Sequence, residues 1–388
     1  MLQTTPETHW FEYFPGNYMW SQAMVIGFGF AAWRAADFGD VDRVGRRLNK
    51  REHNNIAWFE EWDRMAKEAE QRGRDAAAKG RSITASEADL RAATYYFMAE
   101  RFLSHEDGRK LAAYKKSMEC FLRGAKERMP GLEKVEVPYE GSHLSAYFMP
   151  PTNGAEKPYP VVVFFDGLDI CKEFTAHYAQ ELTRRGIGCL VTDGPGQGET
   201  LRVQGIPSRH DYEVPAGACI DYLQGRTEVD TNRLGIMALS MGGYYAPRCA
   251  AFEKRFKACV SWGAHYDYHA LWVERRKVME AGGHRVSAPR FHLPWVLGVE
   301  TMDEAMKKLE PFTLKDVAEK ITMPILVMHG ECDSIVPSPL ARKLFEHISS
   351  KDKELKIFTP EEGGAEHCQV DAVQIATALI GDWFREHL

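Results

Sequence analysis

The residue best suited to nucleophilic chemistry in this sequence is Ser240, which follows the apolar segment at 234–239. A segment able to form a helix comes next, and small residues stand two positions before and after the serine, Ala238 and Gly242. This order predicts a strand, a sharp turn and a helix, in which the turn lifts a strained serine hydroxyl above the edge of a sheet. The motif alone is also compatible with a glycine-rich turn whose serine has no chemical role.

Two further residues supply the groups that a serine nucleophile requires. Asp333 follows the apolar segment at 325–328, and His367 lies in a glycine-rich loop after the last predicted strand. An imidazole takes the proton of the serine hydroxyl, and a carboxylate orients the imidazole and stabilises its charged form. Taken singly, Asp333 fits a cap of the next helix and His367 fits an exposed loop. Because Ser, Asp and His occur in this order, each after a strand, we predict a Ser240–His367–Asp333 catalytic triad.

Acyl transfer by such a triad also requires backbone N–H groups directed at the negative charge that develops on the carbonyl oxygen. We predict an oxyanion hole formed by the N–H groups of Met241, directly after Ser240, and of Leu168, in the loop after the strand at 161–165. Asp169 comes next in that loop, where a carboxylate opposes the developing charge unless it is protonated or bound to the substrate. Asp169 is therefore expected either to bind substrate or to cap the helix that contains Glu173.

The segment after the strand at 258–262 is expected to contribute substrate contacts from His265 and Trp272. His265 and His269 have the spacing of metal ligands on a helix, but no third ligand follows at the spacing of a metal site. We therefore predict no metal. The glycine-rich loop at 193–199 lacks the Lys-Ser/Thr ending of a phosphate-binding loop, which disfavours nucleotide binding.

These side chains require a sheet whose strand ends meet. From residue 131 onward, short apolar segments alternate with segments of helical periodicity, which is typical of parallel strands with helices on both faces. A turn signal at 140–142 predicts an antiparallel hairpin ahead of them. The predicted parallel strands are 161–165, 188–192, 234–239, 258–262, 325–328 and 355–358. The fold class is therefore α/β, a mostly parallel doubly wound sheet with an N-terminal antiparallel hairpin, and such sheets bind ligands at the carboxyl ends of their strands.

Two parts of the chain are predicted to be helical. Residues 1–130 form an N-terminal helical domain, because apolar residues recur there at three- and four-residue steps. Its many aromatic residues are expected to fill its own core, and a wall of the substrate pocket is the alternative. Residues 131–388 form the α/β domain, in which about residues 265–322 form a helical cap insertion. Thr84 and Glu87 are expected to form a capping box at a helix start.

Charge, cysteine content and the N-terminal sequence indicate which kinds of partner the protein has and in which compartment it is located. The 388 residues carry a net charge of −6 with both signs dispersed, which disfavours nucleic acid and anionic membranes as partners. The eight cysteines include no C-x-x-C pair and are expected to be reduced, as in a cytoplasmic protein. The N-terminus lacks the basic region of a signal peptide, and the apolar run at 23–33 is too short to span a bilayer. That run is expected to form a buried helix or a subunit contact, which is compatible with a homodimer.

Residues 134–388 resemble the α/β-hydrolase superfamily. They are most similar to the group that contains dihydroxypseudooxynicotine hydrolase, the fermentation/respiration-switch-type hydrolases and the fungal polyketide-shortening hydrolases. The matching segments are Asp166-Gly167-Leu168-Asp169, residues 193–199, Leu239-Ser240-Met241-Gly242-Gly243 and Ser261-Trp262-Gly263. The resemblance implies hydrolysis of a C–C bond next to a ketone, or of an ester, by a Ser-His-Asp triad without a cofactor. In the pseudooxynicotine enzyme a glutamate follows the Gly-Leu pair, where this sequence has Asp169.

The residues and the resemblance together predict a cofactor-independent serine hydrolase that acts on a small-molecule carbonyl substrate. The favoured reaction is C–C cleavage in an aryl ketone or a 1,3-dicarbonyl compound, because an enolate or an electron-rich arene can leave once it is protonated. A carboxylesterase or lactonase is the alternative within this class. The alternative from another class is a catalytically silent binding protein with the hydrolase fold, which has no need of all three triad groups.

Overall fold

The computed structural model describes residues 11–280 and 288–388. These residues divide into a helical unit, residues 11–132 and 288–292, and a sheet unit, residues 133–280 and 293–388. The domain bounds predicted from the sequence stay predictions. So does the cap at about 265–322, of which residues 281–287 lie outside the described part of the chain.

The helical unit packs five helices around an aromatic core. They are α1 Tyr18–Gly29, α2 Phe38–Leu48, α3 Asn55–Ala78, α4 Ser82–Glu100 and α5 Gly108–Arg128. Trp58 and Trp62 of α3 are fully buried, and Trp62 packs on Tyr95 of α4 with ring centroids 5.7 Å apart. The indole N–H of Trp58 donates to the carbonyl oxygen of Met98 at 2.6 Å, so its polar atom is satisfied inside the core.

The capping box expected at Thr84 and Glu87 is wrong. Helix α4 begins two residues earlier, at Ser82, so Thr84 lies within its first turn, and the N-cap Arg81 makes no side-chain capping bond. The Glu87 carboxylate instead accepts a hydrogen bond from Arg34 at 2.8 Å. Among the described residues, none of the helices has the length and apolar character needed to cross a membrane.

The sheet unit is built on one eight-stranded sheet within the described residues. Its strands are β1 Glu133–Tyr139, β2 Ser142–Met149, β3 Tyr159–Phe165, β4 Gly188–Asp193, β5 Val229–Leu239, β6 Ala258–Trp262, β7 Ile325–Gly330 and β8 Lys353–Phe358. Their spatial order is β1-β2-β4-β3-β5-β6-β7-β8. The β1–β2 hairpin and the β2–β4 pair are antiparallel, and all other neighbours are parallel. The predicted mostly parallel sheet with an N-terminal antiparallel hairpin is confirmed.

Helices pack on both faces of this sheet. The helices from residue 172 onward are α6 Lys172–Thr183, α7 Gly198–Arg202, α8 Glu213–Gln224, α9 Gly242–Phe252, α10 Tyr268–Glu280, α11 His292–Leu297, α12 Met302–Leu309, α13 Pro339–His347 and α14 Val373–His387. Val163 of β3 belongs to a buried cluster with Ile220 of α8 and Ala250 of α9. On the other face, a side chain at Gly235 would come within 2.7 Å of Phe384 of α14, so glycine there admits the helix. Burial on both faces explains why the inner strands β3, β4, β6 and β7 are apolar without alternation.

The strand order reverses beside β3, which has β4 on one side and β5 on the other. In open parallel sheets such a reversal opens a crevice at the carboxyl ends of the strands, where ligands bind. The loops that follow β3, β5, β6, β7 and β8 therefore emerge side by side at one edge of the sheet, and they carry the predicted site residues.

Candidate active site

Ser240 occupies the turn between β5 and α9 in a strained backbone conformation. Its φ angle is 60°, in the left-handed region that a non-glycine residue adopts at an energetic cost. Its backbone N–H donates to the carbonyl oxygen of Trp262 at 2.8 Å, which ties the turn to the neighbouring strand β6. The strand, turn and helix expected around Ser240 are present.

The spacing of small residues around Ser240 has a steric cause. A Cβ atom on Gly242 would lie 2.5 Å from the Cβ of Ala238 and 2.8 Å from the carbonyl oxygen of Asp166. A Cβ atom on Gly243 would lie 2.3 Å from the carbonyl oxygen of Gly263. Glycine is therefore required at 242 and 243, whereas alanine fits at 238 because the facing position has no side chain.

The structure brings Ser240, His367 and Asp333 into one hydrogen-bonded chain. The Ser240 hydroxyl donates to Nε2 of His367 at 2.9 Å, and Nδ1–H of His367 donates to Oδ2 of Asp333 at 2.7 Å. His367 is 5% exposed and Asp333 is fully buried, so the alternative of an exposed loop histidine is wrong. The helix-cap alternative for Asp333 is also wrong, because α13 begins at Pro339 with Ser338 as its N-cap.

Backbone contacts between two loops set the distance from Asp333 to His367. The N–H of Cys332 donates to the carbonyl oxygen of Ala365 at 2.9 Å. Glycine at 330 allows this approach, because a Cβ atom there would lie 2.2 Å from the same oxygen. The Asp371 carboxylate then accepts the N–H groups of residues 364–366 at 2.7, 3.1 and 3.2 Å. The Asp371 side chain thus fixes the backbone of the loop that carries His367.

The electrostatics of this chain favour a charged carboxylate and a basic imidazole. Burial raises the pKa of the Asp333 carboxyl, but the His367 imidazole and backbone N–H groups outweigh it and hold that pKa below its usual value. Its Oδ1 accepts the N–H groups of Ile335 and Val336 at 2.9 and 2.7 Å. Burial lowers the pKa of His367, and the Asp333 carboxylate more than offsets this and raises it well above its usual value.

Sequence reasoning missed two groups that contact this chain. Nε2–H of His329 donates to the carbonyl oxygen of Val336 at 2.7 Å and lies 3.3 Å from Oδ2 of Asp333. Sγ of Cys368 lies 3.6 Å from Nε2 of His367, the nitrogen that also accepts the serine proton. A histidine at the end of the otherwise apolar strand β7 was the available signal for the first. For the second, the neighbouring His367 was the available signal.

The loop predicted to hold one half of the oxyanion hole lies directly against Ser240. A Cβ atom on Gly167 would lie 2.9 Å from the Cβ of Ser240 and 3.0 Å from the carbonyl oxygen of Leu239. Leu168, the next residue, is buried. Met241 lies one residue past Ser240 at the N-terminus of α9, where backbone N–H groups have no intrahelical acceptor. The roles of Leu168 and Met241 stay predictions.

A buried polar network supports that loop. Nε2–H of Gln197 donates to the carbonyl oxygen of Asp166 at 2.5 Å, and the Thr175 hydroxyl donates to Oδ1 of Asp166 at 2.7 Å. Lys172, fully buried, contacts Asp193 at 2.9 Å and Glu199 at 2.8 Å. Burial and then the neighbouring Asp193 raise the pKa of Asp166 well above its usual value. The glycine-rich loop at 193–199 therefore braces the segment beside Ser240.

Asp169 does not cap the following helix. The N-cap of α6 is Cys171, two residues later, and it makes no side-chain capping bond, so the cap interpretation is wrong. Asp169 instead lies near Tyr268 of α10. Burial raises the pKa of the Tyr268 phenol to about 12, and the charge of Asp169 contributes to this shift.

His265 and Trp272 lie beyond the carboxyl end of β6, on or beside α10. Trp272 is 6% exposed, and the guanidinium of Arg275 lies 4.4 Å from the centre of its ring. His265 is 1% exposed, and its ring meets that of Tyr268 edge to face at 4.9 Å. In the part of the chain that the structure describes, no group of three or more His, Cys, Asp or Glu residues is arranged to hold a metal ion.

Comparison with known proteins places this geometry in a family. A family model described as FrsA-like esterase matches residues 49–359, most of the chain. The chain belongs to the FrsA-like esterase family. This FrsA-like protein is an enzyme of the α/β-hydrolase class, as the sequence resemblance predicted.

Relatives of this FrsA-like protein are hydrolases of similar length. It is 28% identical over 328 residues to 2,6-dihydropseudooxynicotine hydrolase of Paenarthrobacter nicotinovorans, covering 84% of this chain and 83% of the relative. It is 27% identical over 394 residues to 20-hydroxy-prefusarin hydrolase of Gibberella moniliformis, covering 92% of this chain and 93% of the relative. The crystal structure of 2,6-dihydroxy-pseudo-oxynicotine hydrolase superimposes with a TM-score of 0.77 at 24% identity, over 93% of this chain and 95% of that one. The predicted α/β-hydrolase fold is confirmed.

Proposed function

We propose that this FrsA-like enzyme is a cofactor-independent serine hydrolase whose catalytic residues are Ser240, His367 and Asp333. The observation that carries the proposal is the unbroken chain of hydrogen bonds from Ser240 Oγ to His367 at 2.9 Å and from His367 to Asp333 at 2.7 Å. A serine held at a φ of 60° in a strand-to-helix turn at the carboxyl edge of the sheet has the geometry of a nucleophile elbow.

The reaction follows from the positions of these groups. The Ser240 oxygen attacks the substrate carbonyl carbon as His367 accepts its proton, and the N–H groups of Leu168 and Met241 hold the resulting oxyanion. The imidazolium returns the proton to the leaving group, which departs and leaves an acyl-enzyme. His367 then activates a water that releases the acid and restores Ser240. Asp333 stays ionised throughout, because its pKa is held low.

The proposed substrate is a small organic molecule in which a C–C bond lies next to a ketone. The resemblance found in the sequence implies this chemistry, and two relatives are named as hydrolases of 2,6-dihydropseudooxynicotine and of 20-hydroxy-prefusarin. A carbon leaving group has to be protonated, and the raised pKa of His367 favours an imidazolium that carries this proton. Asp169, His265 and Trp272 are proposed to bind the substrate.

Ester or lactone hydrolysis is the second candidate, favoured by the esterase family to which the chain belongs. The same serine, histidine and aspartate serve both reactions. The two reactions differ in the leaving group. An ester releases an alkoxide or phenoxide oxygen, so no carbon atom has to be protonated. Asp169→Asn is the discriminating variant: a large loss on a diketone with little loss on an aryl ester indicates that Asp169 binds or protonates the substrate, and equal small effects indicate neither.

Labelling with a fluorophosphonate tests the proposal. We expect the wild-type protein to gain the mass of one adduct and to lose its activity on aryl esters and aryl diketones, with products identified by mass. Ser240→Ala should take no label, and Ser142→Ala, at the start of β2, serves as the control that labels normally. A wild type without label, or a labelled Ser240→Ala, contradicts the enzymatic role of Ser240 and favours a silent binding protein.

The assembly and the location are also part of the proposal. The aromatic N-terminal region favours a homodimer, and the reduced cysteines favour the cytoplasm. Light scattering of the purified protein tests the first, and a single mass near 44.1 kDa contradicts it.

A further inference from the structure

His265 lies beside the nucleophilic serine, in the segment that leaves β6. The backbone of this segment runs along the turn that holds Ser240, because a Cβ atom on Gly263 would lie 3.4 Å from the Ser240 nitrogen. Two residues later, the backbone N–H of His265 points to the carbonyl oxygen of Gly243 at 3.4 Å. The loop after β6 thus borders Ser240 on the side opposite to the loop after β3, which is proposed to supply the oxyanion hole.

The side chain of His265 is buried without hydrogen bonds. It is 1% exposed, and neither ring nitrogen has a hydrogen-bond partner among the described residues. A neutral imidazole has one N–H donor and one acceptor nitrogen, and leaving both unpaired in the interior is costly. Buried polar atoms in proteins nearly always have a hydrogen-bond partner. Two ring nitrogens without one, in the loop that borders the nucleophile, therefore point to a ligand that supplies the partner.

The surroundings of His265 keep its ring uncharged. Burial lowers its pKa well below the usual value, and the neighbouring His367, His329 and Arg275 lower it further, against a smaller opposing effect of Asp333. His265 and His367 therefore differ. His367 is paired with a carboxylate and can carry a proton, whereas His265 remains neutral and can donate a hydrogen bond without ionising. A neutral histidine of this kind polarises carbonyl and enolate oxygens in known enzymes.

We infer that His265 donates its ring N–H to a second substrate oxygen, on the carbon β to the carbonyl that Ser240 attacks. The inference rests on the proposed serine-hydrolase function and narrows its substrates to 1,3-dicarbonyl compounds. The scissile carbonyl oxygen lies toward the loop after β3, and the second oxygen then lies toward the loop after β6. Tyr268, edge to face with the imidazole, holds the ring in place.

The second oxygen is the one that gains charge when the C–C bond breaks. Ser240 Oγ bonds to the carbonyl carbon and gives its proton to His367. The tetrahedral adduct then collapses, and the electron pair of the C–C bond forms an enolate whose oxygen accepts the hydrogen bond from His265. The His367 imidazolium protonates the enolate carbon, and the neutral ketone leaves. Water hydrolyses the acyl-enzyme to the carboxylic acid, so atoms and electrons balance without another reactant.

Paired substrates separate this role from a structural one. We compare benzoylacetone, a 1,3-diketone, with 4-nitrophenyl acetate, whose leaving group forms no enolate. His265→Phe should lower kcat/KM for benzoylacetone by about 10²-fold or more, as for loss of one oxyanion donor, and change the ester rate by less than about threefold. His265→Gln, which keeps an N–H donor, should restore the diketone rate to within about tenfold of wild type. His269→Phe, in the first turn of α10 and four residues from His265, is the matched control and should change neither.

The outcomes distinguish this inference from the proposed function. A wild type that takes no fluorophosphonate label and hydrolyses neither compound removes the serine-hydrolase proposal itself. A labelled wild type that cleaves the ester and not the diketone overturns only the inference. Equal losses on both substrates in His265→Phe also overturn it, because they indicate a structural role. Rates are expressed per active site, counted by the label.

A second measurement serves if His265→Phe does not fold. In the Ser240→Ala protein, benzoylacetone should bind without being cleaved and should shift the ring N–H proton resonance of His265 downfield. The resonance is assigned by its absence from Ser240→Ala combined with His265→Gln. Binding of benzoylacetone that leaves this resonance unmoved overturns the inference.

Discussion

The two sides of the proposed active site are built by different means. The serine side is one continuous segment, residues 238–243, shaped by backbone strain and by glycines that admit neighbouring chains. The acid-base side consists of Asp333 and His367, which are 34 positions apart and are joined by loop-to-loop hydrogen bonds and by the carboxylate of Asp371. The serine side depends on glycines, whose lack of a side chain lets neighbouring segments approach. The acid-base side depends on hydrogen bonds that specific side chains make. Substitutions should therefore damage the two sides in different ways.

Removing the imidazole should have the largest effect. His367→Ala leaves the serine side intact but takes away the base, and Ser240→Ala does the converse, so each should lower kcat by about 10⁵-fold or more. Steady-state rates on 4-nitrophenyl acetate measure this, with thermal melting as the control for folding. Because the residues act as a unit, the double variant should be no slower than either single one. Activity in either single variant within about 10²-fold of wild type would exclude that residue from the mechanism.

Asp333→Asn should have the next largest effect, about 10⁴-fold in kcat, because the asparagine stabilises the wrong tautomer of His367. It should also move the pH profile. In the wild type the carboxylate raises the pKa of His367, so activity rises with pH as the imidazole loses its proton at an unusually high pH. Without the carboxylate, burial dominates and the acid limb of kcat/KM should move to lower pH. An acid limb that stays in place would contradict the electrostatic role of Asp333.

Gly242→Ala tests whether the serine side requires a residue without a Cβ atom at position 242. The new Cβ would lie 2.5 Å from the Cβ of Ala238 and 2.8 Å from the carbonyl oxygen of Asp166, so the turn has to shift. A displacement of about 1 Å at a reacting group costs about 10²-fold in kcat. Adding Ala238→Gly relieves the first clash and not the second, and should recover part of the loss. A fully active Gly242→Ala would show that the turn tolerates a side chain there.

Asp371→Asn should have the smallest effect. It weakens the three hydrogen bonds to residues 364–366 and should lower the free energy of unfolding by about 1 kcal/mol, with a loss of kcat of about tenfold or less. Asp230→Asn, a turn-forming aspartate at the start of β5, is the matched control because it lies far along the chain from His367. Denaturant unfolding and the rate of fluorophosphonate labelling measure the two effects. Equal changes in both variants would deny Asp371 a special role in holding the loop.

The sequence predicts a structural feature correctly where neighbouring residues alone determine that feature. Ser240 was recognisable because the turn needs small neighbours at fixed positions, and the alternation of apolar segments predicted the parallel strands. The sequence failed where the choice depends on distant contacts. The cap expected at Thr84 is absent because α4 starts earlier, and the N-cap of α6 is Cys171 rather than Asp169. Both residues have good local capping propensity, and the packing around them overrode it.

By itself, the sequence determined the fold class, the strand that precedes each candidate residue and the chemical types that a serine hydrolase requires, because these follow from hydrophobic periodicity and from short motifs. The tertiary structure decided which polar groups share an environment. It brought His329 next to Asp333, Cys368 next to His367, and Lys172 next to Asp193. It also left both ring nitrogens of His265 without a hydrogen-bond partner among the described residues. Such relations depend on strand order and loop contacts between residues that are far apart in the chain, and no local pattern records them.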